Sequence, residues 1–171
     1  MKSFLALLVF FAELALGITC SVPDTKATGE KTPAPEFHLK LSVKGFQVGE
    51  LHIGCKAGAT AGYDKGQDIY VPPAAIQGGI IGLLLEDNPL PLYQDIRPAD
   101  LPQTWRIQCR TQGRASVSWE KDLLPEGVMF TIRREDGQPL DMRKTDSMTI
   151  MKNTVLFITA IKATENKEDE K

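Results

Sequence analysis

Between Gln103 and Glu120 the chain alternates apolar and polar residues with a period of two, twice over, and both of its tryptophans fall within that stretch. Trp105, Ile107 and Cys109 point to one face of an extended strand, and Arg106, Gln108 and Arg110 to the other. After Gln112 and Gly113 the pattern resumes, with Ala115, Val117 and Trp119 on one side and Arg114, Ser116 and Ser118 on the other. The spacing predicts a β-hairpin with a dry face and a wet face. Trp105 and Trp119 are then expected as structural core, between two facing sheets.

The same period recurs along the chain. Phe37, Leu39, Leu41 and Val43 alternate with polar residues, as do Leu51, Ile53 and Cys55 beyond a loop at Gly45 to Gly49, which predicts a first hairpin. Ile69 to Val71 is a short strand stopped by Pro72 and Pro73. The run from Gly78 to Leu85 is apolar throughout, so its periodicity does not separate a buried strand from an exposed one. Ile80, Ile81 and Leu83 are accordingly candidates for an interaction surface, with core filling as the alternative. Strands follow at Leu90 to Ile96, at Val128 to Ile132, at Leu140 and Met142 beyond an Asp136-Gly137 turn, at Ser147 to Met151 and at Thr154 to Ile161. Eight to ten short strands without a convincing helix give an all-β expectation: an antiparallel β-sandwich over residues 36–162.

The ends are of another kind. Residues 1–19 read as a secretory signal peptide, a lysine and an apolar run followed by small residues, with cleavage after 17 or 19. Residues 20–35 are a polar, proline-containing tether, and 163–171 a charged tail. Cys20, just behind the apolar run, is a candidate for lipidation; the alternative is an ordinary exported chain. Secretion or a cell-envelope location is expected, periplasmic or on the outer surface. A net charge of -2 implies no nucleic-acid partner, and membrane contact only through an N-terminal lipid.

Candidate chemistry is sparse. Cys55 and Cys109 both lie on apolar faces, and a disulfide between them would stabilise the fold by about 4 kcal/mol; two buried free thiols are the alternative. Asp64 and Asp68, in a loop bent by Gly62 and Gly66, offer oxygen ligands for Ca²⁺, against a reading in which they cap their own loop backbone. No other cofactor is expected. His38 and His52 share the wet face of the first hairpin and are near enough for a metal, against a reading as surface histidines. Asp95-Ile96-Arg97 and Asp141-Met142-Arg143 each set acid and base on one face, and a cross-strand charge ladder forms if the two segments are neighbours. No Ser or Cys nucleophile sits beside a base in a recognisable elbow, so no enzyme is expected.

Gly62-Tyr63-Asp64 with Gly66 and Asp68, then Asp95-Ile96-Arg97-Pro98, Trp105, Trp119 ahead of Leu124-Pro125, and Asp141-Met142-Arg143 resemble the bacterial immunoglobulin-like or fibronectin-type modules of secreted and cell-surface proteins. The resemblance spans roughly Phe37 to Ile161. It implies an immunoglobulin-like sandwich and a non-catalytic role in protein interaction, adhesion or structural spacing, with a protein partner on the cell surface or in the envelope. A carbohydrate- or small-ligand-binding module, Ca²⁺-assisted, is the alternative. The chain departs from immunoglobulin domains in placing Trp105 just before the second of the two cysteines rather than after the first.

Overall fold

The structure is a computed structural model that describes residues 35–46, 48–72, 80–111, 113–151 and 153–163. Every described residue belongs to the compact unit Pro33–Lys171. The signal peptide, Cys20 and nearly all of the expected tether and tail lie outside the described residues.

Eleven strands make up the described fold: β1 (Phe37–Lys44), β2 (Glu50–Lys56), β3 (Ile69–Tyr70), β4 (Ile80–Leu85), β5 (Asn88–Pro98), β6 (Gln103–Arg110), β7 (Arg114–Trp119), β8 (Val128–Arg134), β9 (Leu140–Asp141), β10 (Ser147–Met151) and β11 (Thr154–Lys162). Among the described residues one 3₁₀ turn, Lys121–Leu123, interrupts them. All belong to one sheet in the order β10-β7-β1-β2-β5-β4-β6-β11-β8-β9, with β3 against β5. The all-β expectation holds. The antiparallel one does not: β5 runs parallel to β2, Ile53 opposite Asp95 and Cys55 opposite Arg97, so the sheet is mixed.

The predicted central hairpin is also absent. β6 pairs with β4 and β11, whereas β7 pairs with β1 and β10. The two strands therefore lie in different parts of the sheet and do not pair with each other. Alternation dictates which face of a strand is dry but carries no information about its neighbour, and two amphipathic strands joined by a short link satisfy it equally without pairing with each other. The first hairpin forms as expected, with Leu41 opposite Leu51 and Phe37 opposite Cys55.

The sheet curls so that distant strands share one core. Phe37 of β1 meets Trp105 of β6 edge-on at 5.9 Å and Phe130 of β8 at 5.1 Å. Trp105 and Trp119 are both buried, as expected, and their indole nitrogens donate to the backbone carbonyls of Asp95 (3.2 Å) and Met142 (2.8 Å). Each indole thus buries its apolar body without leaving its N–H unpaired. Ile81 and Leu83 fill the same core at 1% and 0% exposure, while Ile80 and Leu84 are half-buried, so Ile81 and Leu83 do not form the contact surface offered above. Gly82 between them is dictated by space: a Cβ there would stand 2.4 Å from Cβ of Pro91 on the neighbouring β5.

The core cysteines are two free, buried thiols rather than a bridge. Cys55 lies on β2 between β1 and β5, and Cys109 on β6 between β4 and β11, so β5 and β4 stand between their strands in the sheet. Burial pushes both thiols up to about 12, which holds them protonated and inert at neutral pH.

Candidate binding site

β5 organises the polar chemistry. Its first half pairs antiparallel with β4 and its second half parallel with β2, with a register irregularity on each of its pairings with β3 and β4. Asp95 pairs with buried Ile53 and is itself 1% exposed. Its Oδ2 accepts from Nε of Arg97 at 3.0 Å and lies 3.0 Å from a terminal nitrogen of the same guanidinium. Asp95 Oδ1 is buried and has no hydrogen-bond partner. Burial, opposed by the Arg97 charge, raises the Asp95 pKa above the ordinary aspartate range.

The guanidinium of Arg97 is thereby clamped. Asp95 holds one side, and the Trp105 ring lies 5.8 Å away on another. Its remaining surface lines an open cleft of about 900 Å³, with Tyr63 on one wall, the β4–β5 turn at Glu86, Asp87 and Asn88 on another, and Thr104, Arg106 and Phe157 along β6 and β11. Arg133, next to the cleft, stacks on the ring of Phe157 at 4.4 Å. Tyr63 is 40% exposed and stacks on Tyr70 at 4.5 Å, so its ring is presented with little freedom to turn.

The Asp64–Asp68 loop supports one wall of this cleft. Asp68 is 3% exposed, its Oδ2 accepting the backbone N–H of Asp64 at 2.7 Å and its Oδ1 that of Ile96 at 2.8 Å. Asp64 in turn accepts from the backbone N–H and the hydroxyl of Thr60. Every carboxylate oxygen of the pair therefore receives a donor from the loop or from β5, the arrangement of capping residues. A cation would have to compete with those donors. Among the described residues no three His, Cys, Asp or Glu side chains come together as a metal cage.

On the wet face of β1, β2 and β5 a second polar group assembles. The rings of His38 and His52 stack with centroids 4.9 Å apart. Nε2 of His52 lies 3.2 Å from Glu50 Oε1 and 3.1 Å from the Tyr93 hydroxyl, which itself donates to Glu50 at 2.6 Å. The Tyr93 hydrogen bond first, and that of His52 second, hold the Glu50 carboxyl below its usual range. Burial, with Glu50 adding to it, pushes Tyr93 up to about 12. Burial and the neighbouring His52 lower the pKa of His38.

The two acid-x-base segments do not meet. β5 and β9 are separated in the sheet by β4, β6, β11 and β8, so no ladder forms between them. Asp141 accepts from the Arg143 backbone N–H, while the Arg143 guanidinium donates to the carbonyls of Leu124, Pro125 and Val128 and fixes the turn ahead of β8. The sequence reading missed Glu50, Tyr93, Arg106 and Phe157. Tyr93 lies one residue from a strand irregularity, and its neighbours follow only from the parallel pairing of β2 with β5.

Compared with protein-family models, with curated proteins and with solved structures, the chain matches none.

Proposed function

We propose that the chain is a non-catalytic binding module of the secreted or surface-tethered class, a sandwich of immunoglobulin-like type, that engages a protein partner at the Arg97 cleft through an acidic group on that partner. The single observation that carries this is the guanidinium of Arg97, immobilised by a buried carboxylate and an indole at the margin of an open cleft of about 900 Å³. An arginine ordered before its ligand arrives loses less side-chain entropy on binding, and its planar fork suits carboxylates. Arg106 adds a second cation to the same wall. The sandwich reading is supported by Phe37, which links β1 to β6 and β8 through edge-on ring contacts.

The immobilised domain, screened against arrays of acidic and neutral peptides and of glycans, tests the reading. Acidic peptides should be retained, and Arg106→Glu should abolish their retention; retention that ignores both Arg106→Glu and Arg97→Gln overturns it. A second reading, carbohydrate recognition, is favoured by the exposed and stacked Tyr63 at the cleft wall. Its mark is retention of a neutral glycan that Tyr63→Ala removes.

A further inference from the structure

The pair of stacked histidines lies apart from the cleft, and its hydrogen bonds fix a protonation pattern. The Tyr93 hydroxyl spends its proton on Glu50, and a carboxylate only accepts. Nε2 of His52, within reach of both oxygens, must therefore carry the ring proton. Nδ1 of His52 is left with a free lone pair, and it is buried without any hydrogen-bond partner. A basic nitrogen kept unpaired in this way is costly unless something occupies it.

We propose that His38 and His52 form a two-nitrogen site for a late first-row divalent metal ion, of the Ni²⁺, Cu²⁺ or Zn²⁺ class, with Nδ1 of His52 as the anchoring ligand and water completing the coordination. Imidazole nitrogens suit these ions, and bonds of about 2.0–2.1 Å require the two nitrogens to stand roughly 3 Å apart. His38 is exposed, and its ring already lies 4.9 Å from that of His52. Coordination by both rings requires the exposed His38 ring to leave the stack and turn a nitrogen toward Nδ1 of His52. Glu50 supplies the carboxylate that a metal-bound histidine ordinarily engages through its other ring N–H, orienting the ring and raising its basicity. The site is bounded by Lys40, opposite His52 on β1 and 4.0 Å from Glu50, by Tyr93 and Gln94 on β5, and by Glu36 and Lys56 at the hairpin end.

Ni²⁺ titrated into the protein carrying Cys20→Ser, followed by calorimetry and by paramagnetic broadening of the imidazole NMR signals, tests this. Broadening should be confined to His38, His52 and their neighbours. His38→Ala should weaken binding at least tenfold, and Glu50→Gln about tenfold. Unchanged affinity in His38→Ala, or broadening centred elsewhere, overturns the site. The broadening in the unsubstituted pair decides the matter even if a histidine variant fails to fold.

Discussion

Asp68→Ala removes the acceptor that ties the loop preceding β3 to the centre of the sheet. Two backbone amides, Asp64 N–H at 2.7 Å and Ile96 N–H at 2.8 Å, lose their partner, and the second is buried. An unsatisfied buried donor costs about 1–3 kcal/mol, and a bond to a charged acceptor is worth about 1.5–3 kcal/mol. Against this, removal of a carboxylate whose pKa is raised by burial relieves part of its own desolvation. The net loss should be about 2–3 kcal/mol, or roughly 6–12 °C in Tm for a domain of this size. Asp68→Asn retains one acceptor oxygen and should lose about half as much. Urea denaturation gives the free energies, and amide exchange gives the location: protection at Ile96 should fall in Asp68→Ala while that of β11 follows only the global change. A loss below about 0.5 kcal/mol, with Ile96 still protected, would refute the capping role of Asp68 and with it the account of how the cleft wall is held.

Gly82→Ala should destabilise by about 1–3 kcal/mol, because its Cβ meets the rigid Pro91 ring and the crowding has no flexible side chain to absorb it; a denaturation midpoint equal to that of the parent would speak against the β4–β5 register. Cys55 and Cys109, their pKa values pushed up to about 12 by burial, should resist iodoacetamide at pH 8 until the domain unfolds, and mass spectrometry of native-state adducts checks this. Asp68 and Asp95 have raised pKa values in the fold, so their contribution is full below the unfolded aspartate range and is lost as pH rises through the folded values; His38, lowered, acts oppositely, its contribution being full above its unfolded pKa and lost as pH falls through the folded one. Stability measured from pH 4 to 7 should therefore fall less with rising pH in Asp68→Asn than in the parent, and identical slopes would contradict the assigned direction.

Side-chain period and strand order were unequally legible in the chain. Phe37 to Val43 and Leu51 to Cys55 revealed both their faces and their pairing, since a short polar loop joins them and the hairpin is local. Trp105 and Trp119 were legible as core for the same reason. Their strands were not legible as non-neighbours, because period two is satisfied whether or not β7 lies beside β6. Asp95 and Arg97 were correctly assigned to one face, but that face is the dry one. Two charges look polar to any pattern reading, and only the parallel register with Ile53 and Cys55 turns them inward. The stacking of His38 on His52 followed from their shared face on the first hairpin. Glu50 and Tyr93 complete that group through a contact made 43 residues apart in sequence, which no local pattern reports.

The claim on which the functional reading rests is that Arg97 is held ready for a ligand by Asp95. The Nε–H resonance of Arg97 measures it directly. In the free protein it should be visible and slow to exchange with water, and it should shift on titration with an acidic peptide selected by the array while the imidazole signals of His38 and His52 stay in place. An Arg97 Nε–H that exchanges as fast as that of a solvent-exposed arginine, or that does not move when the peptide binds, would contradict the account.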